Sequence, residues 1–491
     1  MGCETRHSGS AIDLRVSVRS RKINFEERIL AWHAVAESPA DYSSAKKQLS
    51  LFSIPANGNG NGTSTFRDPA FADNKSLPVH RWVPWIAGYS ASFVNSVISV
   101  YLSKRKTALI LDPFCGVGTT LLEAVARGYD AVGFEINPYP ALATRAKLNA
   151  LTVDLIEFDS ILSKFQEASR SWLTRPLPKD ISPPPLKSKL PFFSSKVERQ
   201  VLHALAFIKG IQSPRIADLF RVAFGAVMVS FSNYTYEPSL GSRPGAGKPL
   251  IEEADVGRVL LNKLLQMKAD IAWLRETMQA KPVGIARVIN ADFFSQSEEL
   301  ESGSVNLMVT SPPYMNNYHY VRNTRPQLYW LNFISCPREQ SHLEVNNFGQ
   351  YWQTVRDSHP IALVFEHRKL EKILSQLRQI RVDKGPYGGP GWANYVASYF
   401  NDCFRFVKIV KRMLTRNGIG VVVIGNSIIQ GINIPTEKIL GEISEKHGLI
   451  LEGVHCIREK RVGASITQSS VRQGERNGST LSESVVVFRK R

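Results

Sequence analysis

A doubly wound α/β fold, with a mostly parallel sheet and a large helical insertion, is what this sequence predicts. Three observations carry the prediction. Two apolar runs, TALILDPFCG and DAVGFEINP, flank the helical pattern TTLLEAVARG, which makes a β-α-β unit. The same alternation resumes after residue 284, at RVINADFF, SVNLMVTSPPY and GIGVVVIGNS. Between the two stretches, from about 151 to 284, the apolar spacing is helical.

The elements follow in chain order. Residues 1–65 form an N-terminal extension, with a helix expected over 24–38 and a flexible linker at NGNGNGT (57–63). Residues 66–150 are the first part of the α/β domain. There Phe93, Val94, Val97 and Ile98 recur at helical spacing, and the run ending in DPFCG reads as a buried parallel strand with a βα turn. Gly128 is the stop of the helix that follows. The insertion, 151–284, opens with the Pro-rich connection RPLPKDISPPPLKSKLP and continues as helical patterns around 198–231 and 255–278. GAGKP at 245–249 is not a phosphate loop, because Ser242 and Pro249 stand where that motif needs Gly and Ser/Thr. Residues 285–491 complete the α/β domain. An amphipathic helix, YFNDCFRFVKIVKRML, precedes GIGVVVIGNS, and VHCIREKR and SVVVFRKR form a closing antiparallel pair around a polar loop.

The 491-residue chain carries a formal net charge of +18, which points to a polyanionic partner. From 455 to 491 the tail holds eight Lys and Arg against three Glu. Arg322, Arg325, Arg356, Arg368 and Lys369 are candidate phosphate contacts, with a solvated face as the competing reading. The five cysteines are scattered and odd in number, without C-x-x-C spacing, so neither a disulfide framework nor a zinc site is expected. No run of 18 apolar residues predicts a membrane span and no apolar core marks a signal peptide, so a cytoplasmic protein with no membrane partner is expected.

Two segments carry chemistry. A loop leaving a parallel strand at its carboxyl end is where α/β sheets bind ligands. Here it is Asp112-Pro113-Phe114-Cys115-Gly116-Val117-Gly118-Thr119. Gly116 and Gly118 remove side chains where backbone must approach a ligand. Leu121 stands where a dinucleotide fingerprint needs its third glycine, which excludes that motif. Asp112 can face a cationic ligand group, directly or through water. Glu135, ending the next strand, can accept from both hydroxyls of a ribose. Asp292 can accept from an adenine amino group with Phe293 flanking the ring, and helix capping is its competing reading. The second segment is Thr310-Ser311-Pro312-Pro313-Tyr314. An exocyclic amino nitrogen is a poor nucleophile because its lone pair is conjugated with the base. The Ser311 hydroxyl and the Pro312 carbonyl are acceptors that can hold it and favour a more tetrahedral nitrogen. The paired prolines stiffen the turn, and Tyr314 offers a ring for stacking on an extruded base. Asn316, Asn317, Tyr318 and His319 follow and can line the pocket.

LDPFCGVGTT, Glu135, Asp292 and TSPPY, in this order, resemble the site-specific DNA amino-methyltransferases that modify cytosine N4 or adenine N6. VHRWVPWIAGYSASFV resembles the segment that precedes the donor loop in that family. The resemblance covers about 79–150 and 285–460. It implies the S-adenosylmethionine-dependent methyltransferase sheet, S-adenosyl-L-methionine as cofactor, double-stranded DNA as substrate, base flipping with direct displacement, a bacterial or archaeal cytoplasm and a cognate restriction endonuclease as partner. Ser311 in place of Asp leans the expectation toward cytosine N4. Alternatives are an adenine-N6 enzyme, an RNA methyltransferase of the transfer-RNA guanosine-N2 type, and a non-catalytic nucleic-acid-binding protein. Enzymes methylating cytosine at its 5-position use a Cys nucleophile in a different loop, so packing is the expected role of Cys115. The long insertion between Glu135 and Asp292 departs from the family pattern. Either it or residues 325–395 is expected to read DNA sequence.

Overall fold

The alternation of apolar side chains along the strands builds two cores, one on each face of a central sheet. The computed structural model describes residues 71–85, 88–236, 240–279, 283–316, 318–461 and 480–491. The expected helix at 24–38, the linker at 57–63, Asn317 and the polar loop at 462–479 lie outside them. The sheet has seven strands: β1 (Leu109–Asp112), β2 (Asp130–Phe134), β3 (Ala286–Ile289), β4 (Val305–Thr310), β5 (Leu414–Gly425), β6 (Ile450–Arg461) and β7 (Thr480–Arg489). Their order is β6-β7-β5-β4-β1-β2-β3. Pairing is parallel from β3 through β5, and β7 runs antiparallel to both β5 and β6. This is the mostly parallel, doubly wound sheet that the sequence predicts. The order reverses between β1 and β4, which places a crevice at their carboxyl ends.

The register explains the layers. Ile110, Val309, Val421 and Val423 face one core with α1 (Ala91–Leu102). Leu111, Met308, Val422 and Ile424 face the other. That second core is closed by three more helices, Arg368–Gln379, Gly389–Met413 and Thr436–Lys446. The helix predicted at YFNDCFRFVKIVKRML thus begins ten residues earlier, at Gly389, because Trp392, Ala393 and Val396 extend the same apolar face. Helices α2 (Thr119–Ala126) and α3 (Pro138–Leu148) follow β1 and β2.

Within 151–284 the helices are α4 (Leu155–Ser169), α5 (Ser195–Lys209), α6 (Pro214–Val227) and α7 (Val256–Met278), and a short hairpin pairs Tyr234–Tyr236 with Leu240–Ser242. One buried carboxylate ties this region to the segment before β1. Asp270 on α7 accepts from the Val79 amide at 2.9 Å, from Trp82 Nε1 at 3.1 Å and from the Arg81 guanidinium at 2.5 Å. A short 3₁₀ turn, Pro244–Ala246, overlaps the start of GAGKP.

Candidate functional site

The carboxyl ends of β1, β2, β3 and β4 open into one cavity of about 690 Å³. Of the residues singled out by sequence, it brings together Pro113, Phe114, Gly116, Glu135, Asp292, Phe293, Ser311, Pro312, Pro313 and Tyr314. Two segments 190 residues apart in the chain therefore share a wall because β1 and β4 are neighbours in the sheet.

The loop after β1 is held from behind. Gly118 adopts φ 84°, and a Cβ there would meet Thr144 Cγ2 at 2.7 Å, so this position needs glycine on two counts. A Cβ on Gly116, at φ 50°, would come within 3.1 Å of the Trp85 indole nitrogen. Lys147, fully buried on α3, donates to the Val117 carbonyl at 2.9 Å, and burial lowers its pKa to about 7. Asp112, Cys115, Gly118 and Thr119 support this loop from below and do not reach the cavity wall. Cys115 packs against Gly133 of β2, and burial pushes its thiol well above the usual range, which fits a packing role and not a nucleophile. Thr119 is buried at the start of α2, 3.4 Å from the Asn74 amide. Asp112 is 1% exposed. Its oxygens accept from the Tyr89 hydroxyl at 2.6 Å, the Thr310 hydroxyl at 2.7 Å and the Phe114 amide at 3.1 Å. These bonds hold the Asp112 carboxylate where β1 meets β4.

Glu135 does face the cavity. Its carboxylate accepts from the Gly116 amide at 2.9 Å and the Asn137 amide at 2.8 Å, which fixes both oxygens at the rim. Burial raises its pKa to about 7, against the lowering effect of those two amides. Asp292 caps a helical turn at the cavity wall. Its two oxygens cap the turn Phe293–Gln296 by accepting from the Phe294 and Ser295 amides, each at 3.0 Å, and it also lines the cavity. Phe293 is packed by Phe114 and Phe134 in edge-on contacts.

The turn after β4 is pinned at its backbone. Tyr399 donates to the Pro313 carbonyl at 2.9 Å, and the Tyr314 amide donates to the Tyr320 hydroxyl at 3.2 Å. The Tyr314 hydroxyl donates to Glu483 on β7 at 2.5 Å, and Arg458 on β6 donates to the other oxygen of Glu483 at 2.8 Å. Desolvation, with the Glu483 charge beside it, raises the Tyr314 pKa well above its usual value. Tyr314, Arg458 and Glu483 also wall a second cavity of about 360 Å³.

Sequence reasoning missed Glu483 and Arg458 as site residues, together with Tyr236 and the Asn346-Asn347-Phe348 loop, all on the cavity wall. The loop is anchored by the Gly349 amide donating to Asp402 at 2.8 Å. The outward Glu in an otherwise apolar strand, SESVVVF, is the only local signal for Glu483. Of the candidate phosphate contacts, Arg356 lies over Trp352 and Tyr387 and pairs with Asp357, and Lys369 pairs with Glu442. Both have partners within the fold. Among the described residues no His, Cys, Asp and Glu cluster could hold a metal ion, and no helix is long and apolar enough to cross a membrane.

No family model matches the chain. It is similar to the Type II methyltransferase M.BsoBI of Geobacillus stearothermophilus, at 21% identity over 86% of this chain and 87% of that protein. It is likewise similar to the Type II methyltransferase M.AvaI of Nostoc sp., at 23% over 86% and 88%. The Type II methyltransferase M.MvaI of Kocuria varians matches at 22% over 70% of this chain and 76% of its own length. Among solved structures, an S-adenosylmethionine-dependent methyltransferase of Methanosarcina mazei aligns with a TM-score of 0.25 at 11% identity, over 80% of this chain and 96% of its own.

Proposed function

We propose that this protein is an S-adenosylmethionine-dependent DNA methyltransferase acting on an exocyclic amino group, with cytosine N4 as the preferred position. The observation that carries the reading is the single cavity lined both by Gly116, Glu135, Asp292 and Phe293 and by Ser311–Tyr314. The near full-length similarity to Type II methyltransferases supports it. As those relatives' class name suggests, the enzyme would act within a restriction-modification system.

The residues present fit the donor. Gly116 leaves backbone open to it beneath Trp85, Glu135 offers carboxylate oxygens for the ribose hydroxyls, and Asp292 with Phe293 offers an acceptor and an apolar face for the adenine. When bound, the sulfonium supplies an activated methyl group. The chain itself supplies orientation and charge. The Ser311 hydroxyl and Pro312 carbonyl accept from the target amino group, which aligns its lone pair and favours the pyramidal nitrogen of the transition state. Tyr314 stacks on the extruded base, and the Glu483–Arg458 pair keeps its ring from turning. Ser311 at the head of the turn, in place of the Asp of the other motif variant of the resembled family, favours cytosine over adenine.

Expression in a methylation-deficient bacterial host, followed by mass spectrometry of digested DNA, tests the reading. N4-methylcytosine is the expected product. N6-methyladenine would keep the chemistry and overturn the base choice. Unmodified DNA from cells making soluble, donor-binding protein would overturn the DNA reading, and modified guanosine in transfer RNA would replace it.

A further inference from the structure

A basic groove of about 420 Å³ lies beside the functional cavity, between the inserted region and the helix α8 (Tyr320–Trp330) that leaves the clamp. Its wall carries four cations, Lys187, Lys189, Arg322 and Arg325, and no carboxylate. Lys187, Lys189 and Arg322 are exposed. Arg325 is half-buried. It donates through one nitrogen to the Lys187 carbonyl at 2.6 Å, while its buried Nε has no partner. Among the described residues no ion pair takes up these four cations, unlike Arg356 and Lys369.

The groove is fixed relative to the reacting site. Tyr236 of the inserted hairpin donates to the Asn323 carbonyl at 2.8 Å, and the Leu240 amide donates to the Asn323 side chain at 3.1 Å. Tyr320 and Val321 of α8 line the functional cavity, whereas Arg322 and Arg325, three residues apart on one face, line the groove. At about 1.5 Å per residue, cavity wall and cations lie within roughly one helical turn. A base drawn out of a duplex brings its own sugar-phosphate strand to the rim of the pocket that receives it, so phosphates must run past that rim.

We propose that this groove holds the phosphate backbone of duplex DNA next to the extruded base, which makes the inserted region and α8 together the DNA-docking surface. The proposal rests on the DNA-methyltransferase reading. Its test is binding of a 30-base-pair duplex across a salt series by the full-length protein and by a Lys187→Ala/Lys189→Ala/Arg322→Ala variant. A charge-matched control, Lys104→Ala/Arg105→Ala/Lys106→Ala, removes three exposed cations at the amino end of β1, opposite the cavity.

Three lost phosphate contacts lower the slope of log affinity against log salt by about 3, and the affinity on the order of a hundredfold at 0.1 M salt. Donor binding by calorimetry stays unchanged in the same variant. Wild-type slope and affinity in the groove variant, or an equal loss in the control, would overturn the proposal. Preference of the wild-type protein for a hairpin RNA, lost in the groove variant, would overturn it in favour of RNA. If the wild-type protein methylates DNA in cells while the groove variant keeps its salt slope, the groove alone is wrong. If no DNA is methylated yet duplex binding depends on the three cations, the groove stands and the enzymatic reading falls.

Discussion

The Thr310 hydroxyl donates to Asp112 Oδ1 at 2.7 Å across 198 residues of sequence, and this bond joins the last residue of β4 to the last residue of β1. Each residue opens one of the two chemical segments. Their relative position is therefore set by a buried contact at the head of both turns. Tyr89 braces the same carboxylate and meets Thr120 at the head of α2. A misplacement of reacting groups by about 1 Å costs on the order of a hundredfold in rate.

Thr310→Val keeps the side-chain shape and removes the donor. It removes one of the donors to Asp112 and costs about 1–2 kcal/mol of stability. Steady-state kinetics should show kcat reduced about tenfold, with donor affinity by calorimetry within threefold of wild type. A kcat equal to wild type would mean that the contact does not position the clamp.

Donor binding should depend on pH through Glu135. Burial raises its pKa to about 7, so the carboxyl takes up a proton as pH falls through that value. Protonation removes one acceptor for the ribose hydroxyls, so affinity weakens below pH 7 and levels off above pH 8. The stability consequence has the opposite sign. A carboxyl whose folded pKa lies above its unfolded value stabilises the fold below about 4.5, and that contribution is lost as pH rises through about 7. Glu135→Gln should then bind donor about tenfold or more weakly with a flat pH profile, and the ligand-free variant should gain thermal stability over wild type at pH 8 but not at pH 5. A wild-type binding curve flat from pH 6 to 8 would remove Glu135 from the ribose site.

The sheet and the two chemical segments were legible because both depend on local pattern. Buried parallel strands are apolar runs ended by Gly and Pro, and DPFCGVG and TSPPY place strained backbone and acceptors in consecutive residues. What was not legible depends on contacts between distant segments. Asp112 reads as a ligand carboxylate, and only the neighbouring position of β4 shows that Thr310 and Tyr89 also bond to it. Glu483 and Arg458 come from the closing antiparallel pair, whose existence was predicted but whose register against Tyr314 no spacing rule fixes. Asp270 is one acid on an amphipathic helix until the fold brings Val79, Arg81 and Trp82 to it.

The clamp tyrosine separates two contributions. Tyr314→Phe keeps the ring and loses the bond to Glu483, whereas Tyr314→Ala loses the ring as well. Base–aromatic stacking contributes about 1–3 kcal/mol. The Phe variant should retain kcat/KM within about fivefold, and the Ala variant should lose about a hundredfold, with donor affinity unchanged in both. Equal losses would show that the hydroxyl, through Glu483 and Arg458, is what the site uses.

Asp270 tests whether the inserted helices hold the donor site in shape. Its carboxylate is 1% exposed and takes the amide of Val79, the indole of Trp82 and the guanidinium of Arg81. Val79 sits at φ 64°, a conformation that costs a β-branched residue energy and that this bond offsets. Three residues beyond Trp82 the chain reaches Trp85 over Gly116, on the wall of the cavity. Asp270→Ala leaves the Arg81 charge and two buried donors without their acceptor and should destabilise the protein by about 3–5 kcal/mol in denaturant titration. Asp270→Asn keeps an acceptor and the shape while removing the charge, so it should fold. Its donor affinity should fall several-fold as Trp85 loosens. An Asp270→Asn protein that binds donor like wild type would confine Asp270 to holding the inserted helices onto the fold.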